Sequence, residues 1–367
     1  MRREDADIMN SAHHLTPYPR YRKLLRRFVS FMVLGVALVL FAGWIDWTET
    51  HPEQERELRV LIHEQFAEWF PEQMNPNNGS FGFIPRSTEH LHHKPPRVVL
   101  LHGLDEPGDI WQDVLPALDD AGISAWEFRY PNDQAIDWSA DYLAEHWPSL
   151  ETDQPVVLIG HSMGGLVIRD FVSRWRHPVD QVPAIAGPEV RGVILVGTPN
   201  HGSGWARLRV WLELREVLTT LQQQDFSLFA GLRDGTGAAK IDLRPDSEFL
   251  QELNARPWPE TVDMRLIGGV LTEPTPPMQE SIEALSTALD STEVVEALVE
   301  WWSDLGEELG DGVVTLESLT LPNAPPPLVL TASHRGLVTS SMLLSETPPP
   351  AIAPIIHILD EWLMPPR

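Results

Sequence analysis

Cysteine is absent from all 367 residues. No disulfide can staple this chain and no thiolate can act as nucleophile, metal ligand or redox sensor, so cysteine usage leaves the redox compartment undetermined. Basic residues are scarce too: 27 Lys and Arg stand against 53 Asp and Glu, a net charge of −26. A surface of that sign repels phosphates, which argues against a nucleic-acid partner and against a soluble form clinging to anionic lipid. No internal repeat is apparent. No carboxylate sits at ligand spacing around the histidine cluster His90, His92 and His93, so a polar linker accounts for it better than a metal site, and no cofactor is implied.

Charge is missing altogether from one stretch. Phe28 to Ile45 is an 18-residue uncharged run, about the minimum for a helix that spans a bilayer. Before it stand Arg2, Arg3, Arg20, Arg22, Lys23, Arg26 and Arg27 against Glu4, Asp5 and Asp7, and after it come Asp46, Glu49, Glu53 and Glu55. The expectation is a retained signal anchor with a cytoplasmic basic tail (1–27), a span (28–45) and the rest of the chain outside the cytoplasm. A cleaved signal peptide is the rival, but the end of the run shows no clean small-x-small site. Residues 46–96 read as a stalk helix, with Leu58, Leu61, Ile62, Phe66 and Trp69 recurring at threes and fours, followed by a proline-rich linker. Residues 97–367 remain for one α/β domain, and nothing in them signals an oligomeric state.

Within that domain the most specific pattern is Val156 to Gly165, a β-branched apolar run leading into Gly160-His161-Ser162-Met163-Gly164 and then the helix-forming run Leu166 to Trp175. A serine held on a tight strand-to-helix turn needs small neighbours, so Gly160 and Gly164 read as steric requirements and Ser162 as a nucleophile. The turn also opens a helix, whose unpaired N–H groups can receive developing negative charge. Upstream, Val98 to Leu104 is a second buried strand ending in His102-Gly103-Leu104, ahead of a helix from Ile110 to Leu118 that Asp109 could cap. An alkoxide formed by carbonyl attack needs two N–H donors. The residue after the nucleophile, Met163, and one from this earlier loop, Leu104, are the candidates.

Further strands are expected at Val190–Gly197, Val262–Gly269 and Leu328–Leu330. A serine nucleophile needs a base and a carboxylate that holds the base's tautomer. Asp311, between Gly310 and Gly312, and His334, in the loop after the last strand, supply these in the chain order Ser162, Asp311, His334. Asp290 and Asp304 are rival acids within the helical stretch Ser281 to Leu309. His357 is the rival base in the terminal helix Ala351 to Leu363, where polar residues usually face solvent. His161 and His201 lie in motifs beside the site without an assignable chemical role.

HGLDEPGDIW, GHSMGGL, GTPNHGS and GDGVV resemble the α/β-hydrolase superfamily, in particular its bacterial lipase and esterase branch and the GPI inositol-deacylase-like lipases. The resemblance implies a mostly parallel sheet wrapped by helices. It implies Ser162 as nucleophile, His334 as base, Asp311 as acid, and Leu104 with Met163 as oxyanion donors. Two long insertions depart from the simple pattern: 200–260, read as a helical cap, and the segment before Asp311. In the cap, Leu208, Trp211, Leu214, Leu218 and Leu221 fall mostly on one helical face, which suits a helix packed on the core or a mobile lid meeting acyl chains, and Trp301-Trp302 could complete such a pocket. The expected activity is cleavage of lipid-like carboxylic esters through an acyl-enzyme, with an ester or lipid as partner and the membrane reached through the N-terminal helix. Acyl transfer by the same triad, or a non-catalytic module that kept the fold, are the alternatives.

Overall fold

The strands expected from apolar runs do line up side by side, but two more join them. The computed structural model describes residues 19–74, 81–86, 94–104, 106, 109–204, 236–271, 309–340 and 348–363. Among the described residues seven strands form one sheet in the order β1-β3-β2-β4-β5-β6-β7: β1 (Gly82–Pro85), β2 (Val98–Leu101), β3 (Ala125–Arg129), β4 (Val156–His161), β5 (Val190–Val196), β6 (Asp263–Val270) and β7 (Leu328–Thr331). All neighbours are parallel except β1, which pairs antiparallel with β3 at the edge.

Alternation along the strands builds two cores. Val99, Leu101, Leu158, Val193, Leu195 and Leu266 point to one face, where they meet the helices Ile136–His146 and Met163–Asp170. Val98, Leu100, Val157, Ile159, Ile194, Val196 and Ile267 point to the other, against Trp111, the helix Val114–Asp120 and the terminal helix Ile352–Leu363. A strand buried on both faces reads as a continuous apolar run, which is why β2, β4 and β5 stand out in the sequence. Each large side chain so buried contributes about 1.5–3 kcal/mol. We label the helices α1 (Pro19–Thr50), α2 (Pro52–Trp69), α3 (Val114–Asp120), α4 (Ile136–His146), α5 (Met163–Asp170), α6 (Ala238–Asp242), α7 (Glu248–Ala255) and α8 (Ile352–Leu363).

Several expectations need correction. The helix expected from Ile110 is broken: a 3₁₀ turn (Asp109–Trp111) precedes α3, and Asp113, not Asp109, stands before it. The helix after the serine is α only to Asp170 and continues as a π-helical turn, Phe171–Arg176. The run 28–45 lies in α1, yet among the described residues no helix is long and apolar enough to cross a membrane. The expected transmembrane anchor is therefore not supported. The uncharged run has only the minimum length, and six of its side chains, at 34, 37, 38, 41, 42 and 45, lie outside the described residues.

The chain divides into two compact units, Met1–Pro52 and Glu53–Arg367. Almost all of α2, read from its periodicity as a stalk, belongs to the second. Arg56 bridges Asp242 of α6 at 2.5 Å and Asp137 of α4 at 2.7 Å, Arg59 donates to the Thr236 carbonyl, and His63 lies edge-on to Trp138. Of the expected cap, α6 and α7 are described, and Ala239, Leu243, Phe249, Leu250 and Leu253 pack into the core on the α4/α5 face. Positions 208–221, read as a cap helix or a lid, Trp301-Trp302, the rivals Asp290 and Asp304, and the cluster His90, His92 and His93 lie outside the described residues.

Candidate active site

The sheet turns from one winding direction to the other between β2 and β4, and open parallel sheets place their ligand crevice at such a point. The loops leaving these two strands meet there. Ser162 follows β4 with φ 54° and ψ −128°, a region nearly closed to residues with a Cβ. The surroundings impose that conformation. Ser162 N–H donates to the Val196 carbonyl of β5 at 2.8 Å, and Gly165 N–H returns to the Ser162 carbonyl at 3.1 Å. The elbow glycines leave no room for a side chain: a Cβ on Gly160 would lie 2.5 Å from Gly165 N, and one on Gly164 would lie 2.4 Å from the Leu101 carbonyl oxygen. Met163 begins α5, so its N–H is among those without a partner inside the helix.

The loop after β2 is held by its own histidine and by Tyr130. His102 stacks on Tyr130 with ring centroids 4.6 Å apart, Tyr130 Oη–H donates to the His102 carbonyl at 2.6 Å, and His102 Nδ1–H donates to the Gly103 carbonyl at 3.0 Å. Burial drives the His102 pKa down to about 4, so the ring is neutral and donates from Nδ1. A Cβ on Gly103 would sit 2.8 Å from Ser162 Cβ, which is how closely the loop passes the serine. Leu104 follows, half-buried.

From the other side come the expected acid and base. His334 Nδ1–H donates to Asp311 Oδ2 at 2.7 Å, while Asp311 Oδ1 accepts from Val313 N–H (2.9 Å) and Val314 N–H (2.8 Å). His334 N–H also donates to the Asp311 carbonyl at 2.9 Å, so the two loops are joined by backbone as well as side chain. Gly197, the residue after the carbonyl that holds Ser162, fits beneath both: its Cβ would lie 3.1 Å from the His334 ring and 3.2 Å from Asp311 Oδ2. Ser162, Asp311 and His334 are thus brought to one end of the sheet, beside Gly103, Leu104 and Met163. His357 is exposed on α8, and His201 is exposed, its ring 3.5 Å from the Asn254 amide.

One carboxylate in this site was not foreseen. Glu106 is buried, and its Oε2 accepts from Gly103 N–H at 3.1 Å and from His161 Nδ1 at 2.8 Å, while Oε1 accepts from Arg335 at 3.3 Å. Nothing in the sequence marks it, because a Glu in a polar turn normally faces solvent. Among the described residues no group of His, Asp and Glu is arranged to hold a metal ion.

Residues 98–311, from β2 to the carboxylate beside His334, match the model of the Alpha/beta hydrolase family. The chain belongs to that family. The match is to the α/β hydrolases as a whole and does not separate the lipase and esterase branch or the GPI inositol-deacylase-like group. Among solved structures, similarity extends to a Bacillus licheniformis lipase in its mature form (17% identity, 75% of this chain and 97% of that one, TM-score 0.46). It also extends to a Staphylococcus hyicus lipase (13%, 76% and 97%, 0.45) and a type II thioesterase of the yersiniabactin pathway (15%, 77% and 98%, 0.43). A nonribosomal peptide synthetase of Aspergillus flavus is 38% identical over 80 residues, 20% of this chain and 1% of that much longer protein.

Proposed function

We propose that this α/β hydrolase cleaves carboxylic esters through an acyl-enzyme. The observation that carries the reading is the fully engaged Asp311 carboxylate: two backbone N–H groups fix one oxygen and His334 Nδ1–H takes the other, beside a serine held at φ 54°. Asp311 thereby keeps the proton on Nδ1 and leaves Nε2 as the acceptor. In the reaction Ser162 Oγ forms a bond to the ester carbon as its proton passes to His334 Nε2. The carbonyl oxygen takes up the negative charge against the N–H groups of Met163 and Leu104. Collapse breaks the ester C–O bond, and the imidazolium returns its proton to the departing alcohol. Water then repeats the sequence and releases the acid.

Lipid-like acyl groups, and the lipase and esterase branch with its GPI inositol-deacylase-like members, are the finer part of the proposal. They rest on the quoted motifs and on the spacing of the apolar residues Leu208, Trp211, Leu214, Leu218 and Leu221 in the sequence. Location outside the cytoplasm is a further part, supported by the charge asymmetry around residues 28–45, and a reporter fused after Arg367 that works only in the cytoplasm overturns it.

The test is a hydrolysis screen of acyl esters graded in length, with fluorophosphonate labelling of the wild type and Ser162→Ala. Deleting a triad serine costs turnover about 10⁶-fold while the elbow tolerates the smaller side chain, so the variant is expected to be folded, unlabelled and inactive. Activity within tenfold of wild type and an unchanged circular dichroism spectrum would remove Ser162 from the mechanism. Acyl transfer with the same residues is separated by adding an alcohol acceptor and measuring new ester against free acid.

A further inference from the structure

His161 has a hydrogen-bond partner on each ring nitrogen, and both partners are oxygens. Nε2 lies 3.1 Å from the backbone carbonyl of His334, which can only accept, so Nε2 carries a proton. Nδ1 lies 2.8 Å from Glu106 Oε2, the oxygen that also accepts from Gly103 N–H. Burial would raise the Glu106 pKa, but the adjacent His161 outweighs it, helped by His334 and Arg335, and holds the carboxyl at about 2. Glu106 is then a carboxylate at any working pH, Nδ1 must donate to it, and His161 is an imidazolium with no exposed surface. Burial works against that charge, and the Glu106 carboxylate more than offsets it, raising the His161 pKa.

These contacts connect three parts of the site that are far apart in the chain. Glu106 holds the loop after β2 by Gly103 N–H. His161 is the residue before the serine. His334 is the base, and its ring lies 4.7 Å, centroid to centroid, from that of His161. We infer that Glu106 and His161 form a buried ion pair that positions the catalytic machinery: one carboxylate fixes the oxyanion loop and, through the His161 ring, the backbone of His334. The inference rests on the ester-hydrolase reading for its kinetic consequence. It also assigns the loop's donor. Gly103 N–H is occupied by Glu106, so the N–H offered to the substrate oxyanion from this loop is that of Leu104. Both residues are positioning residues, since neither needs to touch the substrate.

The pair has a signature in pH. The titratable and charged groups facing this ion pair are Asp311 from the acid loop and His334 and Arg335 from the base loop, with neutral His102 nearby. Because the imidazolium has a raised pKa, its clamp is complete at low pH and is lost only as pH rises through that value. Glu106→Gln removes the counter-charge but keeps an oxygen acceptor, so His161 deprotonates at lower pH and must release either the substituted side chain's amide oxygen or the His334 carbonyl. Hydrogen bonds to charged groups contribute about 1.5–3 kcal/mol, so kcat is expected to fall about 10- to 150-fold near pH 8 with KM within about threefold. The loss should shrink as pH is lowered toward 6, whereas a merely structural defect would depress activity at every pH.

The experiment uses the full chain with ¹⁵N-labelled histidine. His161 imidazole nitrogens are followed by NMR between pH 6 and 9 in the wild type and Glu106→Gln, alongside kcat and KM on a short soluble ester. An imidazolium in the wild type that becomes neutral in the variant, with the kcat loss confined to the basic side, supports the pair. A neutral His161 in the wild type at pH 7 overturns it, as does a variant whose kcat and pH profile match wild type. If Glu106→Gln does not fold, the wild-type titration and Glu106→Asp, which keeps the charge and should retain the imidazolium, decide the matter. If the wild type hydrolyses no ester, the functional reading falls, while the titration still decides whether the ion pair exists.

Discussion

At the residue scale, Asp311 shows how little freedom the site leaves. An Asn there can keep its oxygen toward the Val313 and Val314 N–H groups only by turning its NH₂ toward His334. That donor forces Nδ1 to accept, moves the ring proton to Nε2, and removes the acceptor that Ser162 requires. Asp311→Asn is expected to lower kcat about 10³- to 10⁴-fold with the melting temperature nearly unchanged. His357→Ala, on the exposed side of α8, should leave kcat within about twofold; a crippling His357→Ala beside a mild Asp311→Asn would require another acid and base. His102 makes a different forecast. Its pKa falls from 6.5 unfolded to about 4 folded through burial, so the unfolded chain takes up the proton first as pH drops. Its contribution is complete above pH 6.5 and is lost down to about pH 4, amounting to about 3 kcal/mol. Urea unfolding at pH 6.5, 5 and 4 should show this slope in the wild type. His102→Asn, whose Nδ2 can replace Nδ1 as donor to Gly103, should flatten it, and identical slopes in both proteins would exclude His102 as the source.

At the scale of elements, α2 is the clearest departure from what periodicity suggested. Its apolar spacing indicated an amphipathic helix and nothing about what it covers. The attachment is largely polar: Arg56 to Asp242 and Asp137, and Arg59 to the Thr236 carbonyl. Such pairs have no sequence period. Removing one partner of a buried pair leaves the other charge uncompensated, at a cost of about 3–5 kcal/mol. A chain beginning at Glu53 is therefore expected to unfold cooperatively near the full-length midpoint. A chain beginning at Pro71, which lacks α2 and strands the buried Asp242, should melt well below it. Equal melting points for the two truncations in differential scanning calorimetry would return α2 to the role of a free stalk. The missed strands have equally local reasons. β3 carries Glu127 at its centre, buried and paired with Arg86 and Arg129, so its apolar run is interrupted. β1 has four residues, ends in a proline and lies in a proline-rich segment, where an edge strand can tolerate it.

At the scale of the molecule, the family and the grouping of the candidate residues Ser162, Asp311 and His334 were legible because each depends on local signals that steric need enforces. The apolar runs became β2, β4, β5 and β6, the glycines around Ser162 face backbone where a Cβ would collide, and Asp311 and His334 emerge from the loops their positions after strands implied. What sequence did not disclose is long-range and polar. Glu106 meets His161 across 55 positions and Arg335 across 229, and no composition or spacing rule links them.

The proposed base, His334, rests on the weakest member of the sheet. Among the described residues β7 is a four-residue edge strand bonded only to β6, with three of its four side chains exposed, so little apolar burial secures the segment that leads to His334. Elements of that kind open at free energies well below global unfolding and exchange their amide hydrogens early. Without further ties the enzyme would lose its base by local fraying while β2, β4 and β5 were still intact. The Asp311 carbonyl and the His161 ring grip the His334 backbone from two sides, which makes the working lifetime of the catalyst depend on cross-links from the centre of the fold more than on the strand that carries its base.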